Sequence, residues 1–272
     1  MSALAERASV SAPTVNLNVV RWVGFKTIVI REYGRIIRIW AQTIVPSAVT
    51  AILYFAIFGS IFGRRVGLLD GVDYRQYIAP GLIMMSVITN SYGNVVASFF
   101  GAKFGKHVEE LLVSPLPNWV IVAGYATGGL VRGLLVGAAV TVVSLVFTHL
   151  QVHHLLIVFA ALILTSLTFA LGGFLNALFA KNFDQVNWIP SFVLTPLTYF
   201  GGVFYSLSLL PDWARHVSYV NPILYMVNAF RFGFLGISDV DVRAAFALMG
   251  AAAALLFTTA VVLMNRGTGI RE

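Results

Sequence analysis

The 272-residue sequence contains no cysteine, which excludes a disulfide framework, a Cys-ligated zinc site and an iron–sulfur cluster. Charge is scarce too. Asp, Glu, Lys and Arg make up 11% of the chain, where a soluble globular protein carries about 25%, so an ordinary soluble domain is excluded. The phosphate-cradling pattern G-x-x-x-x-G-K-[ST] is missing, and no polar stretch is long enough for a nucleotide-binding domain. The histidines His107, His149, His153, His154 and His216 all fall in loops or at the ends of apolar runs. A metal-dependent intramembrane hydrolase needs histidines and carboxylates buried at helical spacing, so neither a metal site nor catalysis is expected.

What the chain has in quantity is apolar length. Hydrophobic residues make up 58%, and six stretches approach or exceed the ~20 residues that carry a helix across a bilayer. They lie at about 44–62, 77–100, 119–147, 155–180, 186–207 and 243–264. The expected fold is therefore an all-α integral membrane protein with six transmembrane helices. Its first apolar run starts near Ile44, too far into the chain for a cleavable signal peptide, so insertion is expected to be internal. Pro46 falls in the first turn of that run, where proline is tolerated. In the third, Gly124, Gly128, Gly133 and Gly137 supply small-residue spacing for close helix contacts.

Residues 1–21 are polar and small and are expected to be disordered. Residues 22–43 read as an amphipathic helix in the membrane interface, with Trp22, Phe25, Val29, Tyr33, Ile36 and Trp40 on one face and Arg31, Arg35 and Arg38 on another. Residues 209–240 are apolar but carry Asn221, Pro222, Asn228 and Arg231, and read as a re-entrant helical pair between the fifth and sixth spans. Counting Lys and Arg by loop gives eleven against five in favour of both termini inside, with the tail 266–272 cytoplasmic. The charge of +7 thus belongs beside anionic lipid, and no nucleic acid is expected as partner.

None of the six spans contains Asp or Glu, and Arg132 is the one clear charge inside them. An ion-coupled carrier buries ionisable relays in its spans, and arginine does not release its proton, so the energy source is expected outside the spans. An ATP-independent carrier or channel stays as the alternative. Residues 103–115 show where energy enters: Phe104, Val108, Leu111 and Leu112 make an apolar face flanked by Lys106, Glu109 and Glu110, and Ser114-Pro115 ends the helix. A helix this short is marginal alone and implies a packing partner.

The run VEELLVSPLP (108–117) resembles the first cytoplasmic loop of ABC-2-type permeases, the membrane subunits of bacterial exporters. The run FVLTPLTYFGGVFYSLSLLPDWARHVSYVNPILYMVNAFRFGFLG (192–236) is similar to that family's second signature, and PGLIMMSVITNSYGNVVASFFGAKF (80–104) agrees. The likeness covers nearly everything after residue 20 and is of the YadH type. It implies an exporter permease in the bacterial inner membrane, paired with a second copy and joined to two separate ATPase subunits that bind ATP and Mg. By the same resemblance Val108, Glu109, Glu110, Leu111, Leu112 and Pro115 contact the ATPase, and Arg31, Arg35 and Arg38 lie on a connector helix. Gly201, Gly202, Asn221, Pro222 and Arg231 are expected at an outer gate, and Asn90, Asn94, Arg132, Tyr199 and Phe200 along the path.

Overall fold

The computed structural model describes residues 16–69 and 71–269. Nearly all of them are helical. The strands among the described residues form one hairpin of β1 (Leu68–Leu69) and β2 (Val72–Asp73), antiparallel with Leu68 opposite Asp73.

Helix α1 (Leu17–Arg38) starts earlier than expected, because the Asn16 side chain accepts from the Asn18 amide and caps it. Residues 17–21 are therefore ordered helix, and the rest of the segment expected to be disordered lies outside the described residues. The helix is amphipathic, but its buried edge is Ile28, Glu32 and Ile36, while Trp22, Tyr33 and Trp40 are exposed. The aromatic face expected at the membrane interface is left free of the bundle. Gly124 and Gly128 of the third span open a groove that admits Ile28 and Glu32: a Cβ on either glycine would lie 2.7 Å and 2.9 Å from them.

After a break at Ile39, α2 (Trp40–Tyr54) runs on as a π-helical stretch (Phe55–Phe62) and a final turn, α3 (Gly63–Val66). The helix begins four residues before the expected span, so Pro46 falls in its second turn, inside the helix. Phe55 stacks on Phe147 at 5.2 Å and ties the outer end of this span to the third.

The core is α4 (Tyr74–Phe104), α6 (Asn118–Phe147) and α7 (Leu155–Phe179), with the short α5 (His107–Val113) between the first two. Their backbones meet over small residues. A Cβ on Gly129 would lie 2.6 Å from the Ala170 Cβ, and one on Gly173 only 2.4 Å from the Tyr92 carbonyl oxygen. Backbone cannot yield as a flexible side chain does. Gly173→Ala is therefore expected to cost about 1–3 kcal/mol by overpacking, read as a lower thermal midpoint in detergent. Gly250→Ala, with nothing within 4 Å of the added carbon, is the neutral control; equal midpoints for the two variants would refute this account of the packing.

The expected fifth span is helical over 183–199 in three joined pieces: α8 (Phe183–Ile189), a π-helical turn (Pro190–Leu194) and α9 (Thr195–Tyr199). Pro190 and Pro196 lack the amide hydrogens that would make the stretch one regular helix. The chain leaves helix at Phe200, before the expected end at 207, because Gly202 adopts φ +70°. A 3-10 turn (Leu207–Leu209) follows, then the helical pair α10 (Asp212–Val220) and α11 (Pro222–Leu235), and last α12 (Val242–Arg266). Among the described residues, five helices are long and apolar enough to cross a membrane: Trp40–Gly59, Tyr74–Phe104, Asn118–Phe147, Leu155–Phe179 and Val242–Arg266.

Candidate functional site

The candidate functional residues gather in four places, from the α5 end of the bundle to the opposite end. At the α5 end, α4 stops at Gly105 and Lys106 turns the chain through the left-handed region at φ +60°. Helix α5 then packs sideways on the bundle. Val108 is 2% exposed and Leu111 packs partly into the same cluster, so Val108 anchors the helix and is not free to touch a partner. Glu109, Glu110, Leu112 and Pro115 face out, as does Val113 at 88% exposure. Val113 escaped the sequence reading because it follows the apolar face by one residue. The Ser114 hydroxyl donates to the Leu111 carbonyl and closes the helix before Pro115. The ends around it are pinned as well: Lys103 Nζ donates to the Leu178 and Ala180 carbonyls at 2.7 and 2.9 Å, and Asn118 donates to Asn265 at 2.7 Å.

Above α5, α1 is clamped to α4 and α6 by a buried charge. Glu32 is 1% exposed and is the one fully buried carboxylate among the described residues. Its Oε2 accepts from Arg35 at 2.9 Å, its Oε1 accepts from Ser98, and Arg31 stands 3.9 Å away. Arg35 also donates to the Asn94 side-chain and main-chain oxygens at 2.8 and 3.1 Å, while Arg31 donates to the Tyr125 hydroxyl. Asn94, expected on a path, is instead fully buried in this clamp. Arg38 is exposed and outside it. The signal available in the sequence was Glu32 itself, a lone acid among five bases and three residues from Arg35.

Between α2 and α4 runs a groove of about 310 Å³, lined by Gln42, Thr43, Ser47, Thr50, Ser86, Thr89 and Asn90 among apolar neighbours. Its lining is uncharged. Asn90 donates across it to Ser47 at 3.0 Å. At the outer end of the groove the Tyr54 and Tyr199 hydroxyls meet at 2.8 Å and join α2 to α9. Phe200 lies off this line, exposed in an apolar hollow with Leu197 and Val217.

The fourth place is the end of the bundle opposite α5. Arg231, expected at a gate, is a buried strut, 1% exposed. It donates to the Gly202 carbonyl at 2.6 Å and to Asn228 at 3.4 Å, lies 3.9 Å from the centre of the Tyr77 ring, and has Asp239 4.0 Å away. Asp239 accepts from Ser206 at 2.9 Å and from the Leu207 amide at 3.3 Å. Asn221 caps α11 and donates to the Leu197 carbonyl at 2.6 Å, with Pro222 in the first turn. Gly201 abuts Ile223, where a Cβ would lie 2.7 Å from its methyl group. The expected outer residues Gly201, Gly202, Asn221, Pro222 and Arg231 are thus brought together. Tyr77 and Asp239, which complete the group, come from distant segments and carried no local signal.

Comparison with known proteins bears on all four places. The sequence profile of a family described as "ABC-2 type transporter" matches residues 23–235. The chain is 52% identical over 251 residues to "Inner membrane transport permease YadH" of Escherichia coli strain K12, covering 92% of this chain and 98% of that one. It is 24% identical over 215 residues to "Nodulation protein J" of Neorhizobium galegae, covering 79% and 82%. It is 22% identical over 237 residues to the Rhizobium meliloti protein of the same name, covering 87% and 90%.

Proposed function

Since the chain belongs to the ABC-2 type transporter family, we propose that it is the permease subunit of an ATP-driven exporter in the bacterial inner membrane. Two copies of a separate ATPase subunit bind ATP and Mg and dock on the inner end, and the permease works as a dimer. In this reading α8 and α9 complete a sixth crossing, α10 and α11 form a re-entrant pair, and both termini face the cytoplasm. Residues 22–43 then serve as the connector helix, and 44–265 as the transmembrane domain.

The observation that carries this reading is the build of α5. Val108 and Leu111 fasten it to the bundle, its neighbours Lys103 and Asn118 are tied to α7 and α12, and Glu109, Glu110, Leu112, Val113 and Pro115 stand outward. Exposed apolar side chains ringed by carboxylates suit a protein partner. Because α5 joins α4 to α6 without slack, a partner that pushes it moves both. ATP binding draws the two ATPase copies together, α5 follows as a rigid piece, and the α2–α4 groove with Asn90 opens towards Tyr199 and the outer group around Gly202 and Arg231.

An ATP-independent carrier is favoured by one observation, the buried carboxylate of Glu32. That group, however, is held by Arg35 and Ser98 and is closed off from the polar groove. A proton relay needs a group that alternates between partners and water, which a fully paired carboxylate does not do.

Co-purification separates the two readings. The chain is expected to come out of membranes bound to an ATPase, and the triple change Glu109→Ala, Leu112→Ser, Val113→Ser is expected to weaken that complex by about tenfold or more while the fold survives, since these side chains are exposed. A complex of unchanged affinity, or uphill transport by the chain alone in liposomes, would overturn the proposal.

A further inference from the structure

The seam between α1 and α6 carries more positive charge than it neutralises. Three guanidiniums, Arg31, Arg35 and Arg132, stand along it against the single carboxylate of Glu32. Arg132 has neither a hydrogen bond nor an ion pair among the described residues, and the charge acting on it is that of Arg35, of the same sign. Position explains this. Gly128 abuts Glu32, and Arg132 is one helical turn further along the same stripe of α6. Phe147 holds Phe55 of α2 higher up, so Arg132 lies beneath the elbow where α1 gives way to α2.

Three of the unpaired atoms at this place can only donate. Arg35 Nε, Arg132 Nε and Asn94 Nδ2 are buried without a hydrogen-bond partner. Three donors with an excess of positive charge call for an anion with several acceptor oxygens. The seam is also a climb. Tyr125, which receives Arg31, is about 10 Å up α6 from Asn118, and Arg132 is about 21 Å up, at 1.5 Å per residue. Exposed Ile30, Tyr33 and Ile37 on α1 and Leu135 on α6 stand on the same two helices. The surroundings therefore suit acyl chains while the seam suits an anion.

We propose that the α1–α6 seam is a binding site for the phosphate group of an anionic phospholipid, drawn inward from headgroup depth. Arg132 and Arg35 hold the phosphate, Asn94 donates from the α4 side, and Arg31 stands at the mouth. The lipid supplies the counter-charge that the chain withholds from Arg132. The site does not depend on the ATPase partner.

The test uses the full chain in nanodiscs of phosphatidylcholine, alone or with a graded fraction of phosphatidylglycerol, with bound lipid counted by native mass spectrometry and unfolding followed thermally. Phosphatidylglycerol is expected to be retained over phosphatidylcholine and to raise the midpoint. Arg132→Gln is expected to weaken that retention about tenfold, as for the loss of one charge-assisted contact. In pure phosphatidylcholine the same variant should be at least as stable as the parent, because it removes an unpaired charge; a merely structural Arg132 would instead destabilise there. Arg132→Lys should keep most of the retention, and Arg215→Gln, outside the seam, all of it. Inorganic phosphate and glycerol phosphate form the last arm: stabilisation by them equal to that of phosphatidylglycerol would assign the site to a free phosphate and overturn the lipid. Equal retention of both lipids by the parent chain would overturn the proposal without recourse to any variant.

Discussion

Glu32→Ala is expected to destabilise the chain by about 3–5 kcal/mol, the usual cost of removing one partner from a buried ion pair. The change deletes the acceptor shared by Arg35 and Ser98 and leaves the half-buried Arg35 and its exposed neighbour Arg31 without a counter-charge. It also opens a void against Gly128, where the Glu32 side chain is the nearest neighbour. Loss of the thermal midpoint in detergent, together with early proteolysis of α1, measures it. The double variant Glu32→Ala, Arg35→Ala is the sharper experiment. With both charges gone, only the neutral side chains of Asn94 and Ser98 lose a partner, so the double change should be less harmful than the sum of the singles. Strict additivity would mean that the clamp contributes nothing as a pair.

The same clamp has a mechanical consequence. Helix α4 carries Asn94 and Ser98 in its inner third and α5 at its inner end, so a displacement of α5 reaches α1 through α4 over a short distance. Glu32→Gln keeps the shape and a weaker set of hydrogen bonds. In the complex with the ATPase it should leave nucleotide hydrolysis largely in place and lower cargo moved per ATP. Unchanged coupling in that variant would show that α1 is carried passively.

The spans were legible for a simple reason: a run of twenty apolar residues has one stable use in a bilayer, and α4, α6, α7 and α12 fall where those runs fall. The α6 glycines were legible for the same kind of reason, since small residues at helical spacing mark close helix contact, and Gly124 and Gly128 do touch α1 while Gly133 touches α4 and α7. Helix α5 was betrayed by Ser114-Pro115. The edge of α1 that packs on the bundle was not legible, although Trp22 and Tyr33 do stay clear of the bundle. An exposed Trp22 costs nothing beside acyl chains, and Glu32 is tolerable inside only because Arg35, Ser98 and Arg31 come to it from two helices. The partners are 66 and 59 residues apart in sequence, at Ser98 and Asn94, and no local pattern announces them.

Arg231→Leu is expected to cost a comparable 3–5 kcal/mol, by the same logic at the opposite end of the molecule. Leucine strands the Gly202 carbonyl and one face of Asn228 and removes the cation that offsets Asp239, at the buried floor of a polar cavity of about 420 Å³ that Tyr77, Ser206 and Asp239 also line. Gly202 is the telling partner. Its φ of +70° turns the chain out of the helix after α9, and the Arg231 bond to its carbonyl at 2.6 Å holds that turn against α11. Losing the bond should therefore free the segment from Gly202 to Leu209 before the core loosens. Limited proteolysis in membranes should show cleavage there at temperatures where α4 and α6 are still protected. Arg231→Lys separates charge from geometry. An ammonium keeps the positive charge beside Asp239 but cannot span Gly202, Asn228 and the Tyr77 face at once, so it should recover less than half of the loss. Full recovery with lysine would reduce Arg231 to a counter-ion for Asp239, and the idea that it braces the Gly202 turn would have to be given up.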